Sequence, residues 1–431
     1  MAQAILSLIL VICLSVTYGG SSAIAQTMKE SSQAPFTALT LSEAIARALV
    51  HNLDLSVSRS EADISRGKLE QARRYPFNPE LTIEGEFGKG TAREGPEERS
   101  LRGGRIGLSQ VVEIRGQRGL RTRAAEVEMK RAEWEIRDTE RHIVSETMKA
   151  FGDLLAAQER LALARETLDL AAQFKSTVDE LVSAGQVPEL DALRAEIERR
   201  RAASRNTFEE NSVLAAARGL ALVIGKGPDV RLKAMGPLLF EPVKGTHKDL
   251  LAFARANRPD LKAAESALDG AQASLRLIRA DRILPSLTLS ASYGEAVEFD
   301  STNRLGVFGI SIPLSFFNRR EGDIAVAEAE VRRAQTSRDR LSVRLEKEVT
   351  AAFEQFTAAK KVVEDFVSGI LPAQEETEKL IFEGYRIGEF RLNDALLARR
   401  DFFETKSVYL EAIASYNAAL AEIYRATGMK P

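Results

Sequence analysis

The chain has 431 residues, of which 44% are hydrophobic, 28% are charged and only 6% are aromatic. Its 60 basic and 62 acidic residues nearly cancel, to a net charge of −2, and so give no argument for a nucleic-acid partner. Few aromatic side chains, with interspersed charges of both signs, are typical of long helices with solvated faces.

The N-terminal residues have the features of a secretory signal peptide. The apolar run AILSLILVICLSV is followed by small residues and by Ala23-Ile24-Ala25, an A-x-A cleavage pattern. A membrane anchor would need a longer apolar run with charged flanks. We therefore expect residues 1–25 to be a signal peptide that directs export.

The single cysteine, Cys13, lies inside this apolar run. Lipid attachment would require a small residue directly before the cysteine, and Ile12 is not small. Cleavage after Ala25 would leave a mature chain without disulfides or thiol chemistry. No later apolar run is long enough for a transmembrane helix, so a membrane-spanning form of this chain would have to use β-strands.

The elements that follow are long helices separated by short strands. The first predicted helix covers residues 41–74, with Thr40 as its cap, and ends before a pair of prolines. Two strands come next. No proline occurs over residues 117–184, which therefore predict one helix roughly 100 Å long, at ~1.5 Å per residue. A turn at 185–188 leads into a returning helix that ends near Leu222.

The same order of elements then occurs a second time. The decamer PELTIEGEFG, which begins at Pro79, has a counterpart in PSLTLSASYG, which begins at Pro285. Later residues predict a second helical hairpin, with a kink at Pro372 and a turn at Gly388. The sequence therefore predicts a duplicated domain. Its predicted divisions are a first repeat at 26–225, a linker at 226–245 and a second repeat at 246–431.

Each of the four predicted strands alternates apolar and polar residues over about ten positions, which is the pattern of a membrane-spanning barrel strand. Two soluble hairpins packed on the helices would show the same pattern. In the membrane-spanning case, the apolar residues face lipid and the polar residues line the pore. The predicted lipid-facing residues are Leu81, Ile83, Leu289, Phe308, Ile310 and Ile312. The predicted pore-lining residues are Thr82, Glu84, Glu86, Ser290 and Ser292.

Four strands are too few to enclose an open interior, and lipid does not tolerate open strand edges. Several copies would therefore share one barrel. Two copies give eight strands, whose interior is filled by side chains, whereas three give twelve, enough for a channel. The expected fold is thus mostly α with a small β part: a long α-helical coiled-coil barrel, and a four-strand contribution to a shared, trimeric 12-stranded transmembrane β-barrel.

Three stretches carry a resemblance to a known family. They are AGQVPELDALRAE (184–196), ILPAQEETEKL (370–380) and YRIGEFRLNDALLARRDF (385–402). Together with the duplicated order of elements, which covers essentially the whole mature chain, they make the chain resemble the TolC-like outer-membrane efflux channels. The heavy-metal, CzcC-like branch of that family is the most similar.

The resemblance implies a homotrimer in the outer membrane, whose helices form a tunnel across the periplasm. It implies a passive channel with two partners, a periplasmic adaptor (membrane-fusion) protein and a proton-driven efflux pump of the inner membrane. The suggested cargo is divalent heavy-metal cations such as cobalt, zinc and cadmium. Leu397 departs from the pattern, since some relatives have a second acidic residue there.

The resemblance also places function at the two helix turns. Gly185 and Gly388 suit the reversal of a helix, and with Arg391 they are the expected adaptor-docking positions. The residues expected at the periplasmic aperture are Tyr385, Asp394 and Asp191. A simpler interpretation remains open for both aspartates, because the helix dipole favours a carboxylate in the first turn of a helix.

The sequence shows no constellation of residues for catalysis. Its three histidines, His51, His142 and His247, are scattered, and GLALVIGKG at 219–227 lacks the spacing of a phosphate-binding loop. We therefore predict no enzyme activity, no cofactor and no bound metal. The competing function is a periplasmic coiled-coil adaptor or scaffold without a pore, which would explain the helical hairpins but not four alternating strands.

Arginines follow the second and the fourth predicted strand. Arg115, Arg118 and Arg121 follow one strand, and NRREGD (318–323) follows the other. Two interpretations remain open: these residues meet lipid phosphates at the inner rim of a barrel, or they are ordinary solvated helix starts.

Overall fold

The computed structural model describes residues 37–91, 98–227, 231–282, 286–298, 301–314 and 317–431. The predicted signal peptide, 1–25, lies outside these residues. The described chain is mostly helical with a small sheet component, which confirms the expected fold class. Within the same ranges, no helix combines the length and the apolar character needed to cross a membrane.

The order of two helices, two strands, a long helix and a returning helix occurs twice. The elements of the first half are β1 (Thr37–Leu39), α1 (Leu41–His51), α2 (Leu53–Arg73), β2 (Glu80–Thr91), β3 (Glu98–Val112), α3 (Gln117–Ser183) and α4 (Glu189–Val223). Those of the second half are β4 (Leu232–Ala234), α5 (His247–Asn257), α6 (Pro259–Ala280), β5 (Leu287–Glu298), β6 (Ser301–Ser311), α7 (Glu321–Asp365), a π-helical turn (Phe366–Ile370), α8 (Leu371–Arg386) and α9 (Leu392–Thr427).

The chain forms two compact units, each assembled from separate stretches. The sheet unit comprises Leu53–His142, Val243–Gln355 and Glu422–Pro431, and it contains the strands β2, β3, β5 and β6. Among the described residues, the turn unit comprises 37–52, Ile143–Pro242 and Phe356–Ala421, and it contains both helix turns. Each unit takes residues from both predicted repeats, whose boundaries stay a prediction of the sequence.

The first helix differs from its prediction, because the structure divides it into α1 and α2 at Asn52. The backbone leaves the helical region there, with ψ at 132°. The side-chain Nδ2 of Asn52 donates a 2.9 Å hydrogen bond to the carbonyl of Val223, at the end of α4. This bond satisfies one of the carbonyls that a helix C-terminus leaves without a partner in its own helix.

The second half has the same break, with an arginine in place of the asparagine. Arg258 separates α5 from α6, and the proline that follows it, Pro259, disfavours a helical conformation at position 258. Nη1 of Arg258 donates a 3.2 Å hydrogen bond to the carbonyl of Ala426, near the end of α9. In both halves, the residue at the break therefore caps the returning helix.

The charge of Arg258 is compensated by two carboxylates, because its side chain is only 2% exposed. Its Nη2 lies 2.6 Å from Oδ2 of Asp260 and 2.8 Å from Oε2 of Glu348. Burial alone would raise the pKa of both carboxyls. Hydrogen bonds from Arg258 to Asp260, and from Arg344 and Arg258 to Glu348, outweigh burial and lower both pKa values.

The described part of the predicted linker lies within the turn unit up to Pro242. Its strand β4 pairs in parallel with β1, and the side-chain amide of Gln158 exchanges two 3.0 Å hydrogen bonds with the backbone of Ala234. The amide of Asn417, which is 1% exposed, accepts a 3.0 Å bond from the N–H of Phe240. These buried amides satisfy linker backbone groups that water cannot reach.

The structure places the π-helical turn immediately before Pro372, where the sequence predicts a kink. Proline has no N–H to donate, and its ring crowds the carbonyl four residues earlier. In the π-helical turn, the N–H of Leu371 bonds to the carbonyl of Phe366, one residue further back than in an α-helix. The helical path therefore continues through the proline into α8.

Substitution of Gly225 tests the packing of the first helix break. Gly225 follows α4 with φ at 69°, and a Cβ there would lie 2.1 Å from the carbonyl oxygen of His51. We expect Gly225→Ala to lower the free energy of unfolding by more than ~2 kcal/mol, because backbone strain and a steric clash add. The measurement is chemical unfolding of the purified protein in detergent.

Two other glycines provide matched controls. Gly428→Ala should cost only the backbone strain, ~1 kcal/mol, because its Cβ would lie 3.6 Å from Pro259 with φ at 76°. Gly219→Ala, inside α4 with no atom within 4 Å, should stabilise by ~1 kcal/mol. Equal losses at 225 and 428 would contradict the proposed contact with His51.

Acid should weaken the ionic cluster around Arg258. Because folding lowers the pKa of Asp260, its contribution is fully present above the pKa of the unfolded chain, ~4, and is lost as the pH falls through the lower folded value. We expect Asp260→Asn to cost ~3 kcal/mol at pH 7 and to reduce the fall in stability below pH ~5. Asp63→Asn, which breaks a 2.6 Å ion pair whose carboxyl is 68% exposed, is the control and should change neither quantity.

Candidate functional site

The long helix of each half ends in the same hydrogen-bonded motif. After α3, the N–H of Gly185 bonds to the carbonyl of Val182 and the N–H of Gln186 to the carbonyl of Leu181, both at 2.9 Å. After α8, Gly388 and the residue that follows it make the equivalent bonds. Both glycines have positive φ, 70° and 85°, as this motif requires. The two predicted turns are therefore confirmed as helix ends.

An apolar cluster within the turn unit joins the helices next to these turns. Its buried members are Phe174, Val178, Ala195 and Leu392. Its partly buried members are Val182, Val187, Ala192, Phe382, Tyr385 and Leu396. Since these residues come from α3, α4, α8, α9 and the first turn, the cluster fixes the ends of both hairpins relative to each other inside this unit.

Tyr385 and Asp191 are brought together by this cluster. The ring of Tyr385 packs against Phe174, with 5.9 Å between ring centroids. Burial raises the pKa of the Tyr385 hydroxyl, and the negative charge of Asp191 raises it further. Asp191 also lies 3.4 Å from the guanidinium group of Arg194, which in turn lies 3.4 Å from the side-chain oxygen of Asn393 on α9. The hydrogen bond of Arg194 therefore connects α4 with α9, and the charge of Asp191 on α4 acts on Tyr385 of α8.

Asp394 has a local partner at the start of α9. Its carboxylate accepts a 3.0 Å hydrogen bond from the backbone N–H of Arg391. This is the helix-start role that the simpler interpretation assigns to a first-turn carboxylate. Gly185, Gly388 and Arg391 are all exposed at the turns, so a partner protein can reach them.

One contact at the second turn has no counterpart in the sequence-based predictions. The ring of Phe390 lies directly over Gly384, where an added Cβ would meet ring carbons at 2.4 and 2.6 Å. Phe390 therefore folds back over the end of α8, and only glycine leaves room for it. The sequence does contain a sign of this contact, because a glycine inside a helical stretch, here IFEGYR, indicates that another group packs closely against the helix.

The sheet unit contains one antiparallel sheet in the order β2–β3–β5–β6. The register places Leu81 opposite Leu108, Leu108 opposite Ala291, and Ala291 opposite Phe308. Side chains in such a row lie on the same face of a sheet, and residues two positions along the strand share that face. Five of the six predicted lipid-facing residues, Leu81, Ile83, Leu289, Phe308 and Ile310, consequently lie on one face, whereas Ile312 follows the end of β6. Thr82, Glu84, Glu86, Ser290 and Ser292 lie on the opposite face.

The apolar face of the sheet is solvent-exposed in the single chain. Ile83 is 76% exposed and Phe308 is 88% exposed. Among the described strands, β2 and β6 each pair on one side only. An exposed apolar face between two open strand edges is characteristic of a surface that another molecule covers.

The described residues contain no group of three or more His, Cys, Asp or Glu side chains placed to hold a metal ion. The three histidines have other neighbours or partners; Nε2 of His247, for example, lies 3.0 Å from the hydroxyl of Thr350.

Comparison with known proteins identifies the family. A model of the family described as outer membrane efflux protein matches residues 44–226 and 250–429. The chain belongs to this family. It is therefore an outer-membrane protein that extends into the periplasm, in a family of efflux channels rather than of enzymes.

The resemblance to the CzcC-like branch is also confirmed. The cobalt-zinc-cadmium resistance protein CzcC of Cupriavidus metallidurans is 26% identical over 390 residues, which cover 90% of each chain. The solved structure of the outer-membrane channel OprN is 20% identical, with a TM-score of 0.75 over 90% of this chain and 89% of that one. That of CusC is also 20% identical, with a TM-score of 0.74 over 90% and 92%. The two structures show the same fold.

Single cysteines on β5 test the assignment of the two sheet faces. In the membrane-inserted protein, a membrane-impermeant thiol reagent should modify Ser290→Cys quickly and Leu289→Cys slowly, because only the polar face meets water. The Cys-free predicted mature chain provides the background. Both positions should react equally after unfolding in detergent. Equal rates in the membrane would overturn the assignment.

Proposed function

We propose that the chain is the exit duct of a tripartite efflux system, a passive outer-membrane channel formed by three copies. The observation that carries this proposal is the four-stranded sheet, which has one mainly apolar face, one mainly polar face and two open edges. In the proposed channel, the apolar face meets lipid and the polar face lines the pore.

Three copies satisfy the geometry of the sheet. Lipid offers no hydrogen bonds to the open edges of β2 and β6, so these edges must pair with strands of other copies. Eight strands from two copies would leave an interior that side chains fill, whereas twelve strands from three copies enclose a channel. The long helices α3 and α7 would then continue the channel as a helical barrel.

The family also suggests the partners and the cargo. Efflux through an outer-membrane channel requires an energy source elsewhere, and we assign it to a proton-driven pump of the inner membrane, joined to the channel by a periplasmic adaptor. The name of CzcC refers to cobalt, zinc and cadmium resistance. On that similarity we propose divalent heavy-metal cations as the cargo of this chain.

The turn unit supplies the proposed aperture. Three copies of Asp191 and Asp394 would create a ring of negative charge where cations enter. The charge of Asp191 acts on Tyr385, and Arg194 connects Asp191 with α9, so in this proposal these polar interactions hold the helix ends together in a closed mouth. Gly185, Gly388 and Arg391 lie on the exposed turns and are the proposed adaptor-docking positions.

The channel proposal is tested by the mass and the conductance of the purified protein. Light scattering in detergent should give the mass of three chains, and planar lipid bilayers should show discrete conductance steps. A well-folded monomer without conductance would overturn the proposal and favour a periplasmic adaptor or scaffold without a pore.

The aperture is tested in the same bilayers. We expect Tyr385→Phe combined with Asp394→Ala to increase the open fraction of the channel, because the Tyr385 hydroxyl beside the charge of Asp191 and the helix-start bond of Asp394 are both lost. Addition of Asp191→Asn should increase it further. The matched control is Tyr409→Phe with Asp401→Ala, on α9 away from the turns. Unchanged conductance in a correctly assembled triple variant would remove these residues from the gate.

A further inference from the structure

The four connections between the sheet and the helices all lie at the same end of the sheet. Glu80, the first residue of β2, pairs with Ser109 near the end of β3, and Val112 of β3 pairs with the first residue of β5, Leu287. Thr288 of β5 pairs with the last residue of β6. The chain therefore enters the sheet twice and leaves it twice at the same end of the strands, and side chains on these four connections form one band beside the apolar face.

Each connection carries one exposed arginine whose guanidinium group has no hydrogen-bond or ion-pair partner within the described ranges. These arginines are Arg74 before β2, Arg115 after β3, Arg282 before β5 and Arg319 after β6. These four positive charges lie at corresponding places on the four connections, next to arginines that are paired.

The neighbouring arginines show this contrast directly. Arg73 lies 3.0 Å from Glu70, Arg279 lies 2.7 Å from Glu328, and Arg320 lies 3.3 Å from Asp281. Nε of Arg118 donates a 2.8 Å bond to the carbonyl of Arg73. The side chains of these neighbouring arginines are held by their partners, whereas the four free guanidinium groups remain available to a ligand.

Exposed aromatic and apolar side chains accompany the free arginines. Tyr75 and Phe77 lie before β2, with ring centroids 6.2 Å apart, and Leu314 and Phe317 lie after β6. The hydroxyl of Tyr75 donates to the carbonyl of Val111 and accepts from the N–H of Glu113, both at 2.8 Å. The first two connections are thus tied together. Aromatic side chains and arginines beside an apolar face are the composition of a membrane–water interface.

We propose that Arg74, Arg115, Arg282 and Arg319 bind the phosphate groups of phospholipids in the leaflet that faces the periplasm. Guanidinium groups match the geometry of phosphate oxygens and make paired hydrogen bonds with them. The adjacent apolar face would contact the acyl chains of the same lipids. This inference rests on the proposed membrane position of the sheet.

The test is the affinity of the detergent-purified full chain for phosphatidylglycerol, compared with digalactosyl diacylglycerol of the same acyl chains. Retained lipid is counted by native mass spectrometry over a titration. The variant combines Arg74→Gln, Arg115→Gln, Arg282→Gln and Arg319→Gln. A second variant has lysine at the same four positions. The control combines Arg218→Gln, Arg333→Gln, Arg340→Gln and Arg400→Gln. These substitutions remove the same total charge from exposed helical arginines away from the band.

The wild-type chain should retain phosphatidylglycerol in preference to the galactolipid. One arginine near a lipid phosphate changes affinity about fivefold, so the glutamine variant should bind phosphatidylglycerol more than about tenfold more weakly. The lysine variant should lose only part of the affinity, and the control should match the wild type. Equal retention by the glutamine variant, or equal retention of the galactolipid, would overturn the inference.

Inorganic phosphate separates a lipid site from a site for free anions. If phosphate at millimolar concentration displaced the lipid completely, the band would be an anion site and the lipid assignment would be wrong. The conductance of the wild type reports separately on the channel. A conducting wild type with unchanged lipid retention in the glutamine variant would refute the lipid site alone, whereas a non-conducting monomer would refute the channel.

Discussion

The pairing of β3 with β5 is the interaction on which the sheet unit depends. It joins the strands of the two halves, from Arg102 opposite Val297 to Val112 opposite Leu287. Because side chains alternate along a strand, a slip of one residue would turn every side chain of one hairpin to the other face. The observed register keeps Leu81, Leu108, Leu289 and Phe308, from both hairpins, on one side. It also brings all four sheet-to-helix connections to one end.

In each half, the residue at the helix break caps the C-terminal end of the returning helix, but the two halves use different side chains. Asn52 caps α4 with a neutral amide, which requires no further charge. Arg258 caps α9 with a buried cation, which requires Asp260 and Glu348 beside it. The second half therefore has an ionic cluster where the first half has a single hydrogen bond. We infer that the stability of the second break depends on pH more strongly than that of the first.

Local patterns in the sequence predicted the long helices, the turns at Gly185 and Gly388 and the two sheet faces, since each depends on residues close together in the chain. The contacts that escaped prediction join distant residues. Asn52 reaches Val223, and Asp191 acts on Tyr385. Periodicity contains no information about such pairs. The fold was therefore largely predictable from the sequence, whereas the long-range contacts near the helix turns were not.

The open edges of the sheet have a consequence for the order of assembly. β2 and β6 run in opposite directions, so β6 of one copy can continue the antiparallel pattern onto β2 of the next, head to tail. Joining two copies in this way covers two edges but leaves two others bare. In the proposed three-copy barrel, only closure of the ring covers the last two edges. Partly assembled intermediates thus gain little protection, and formation of the complete ring should be strongly cooperative.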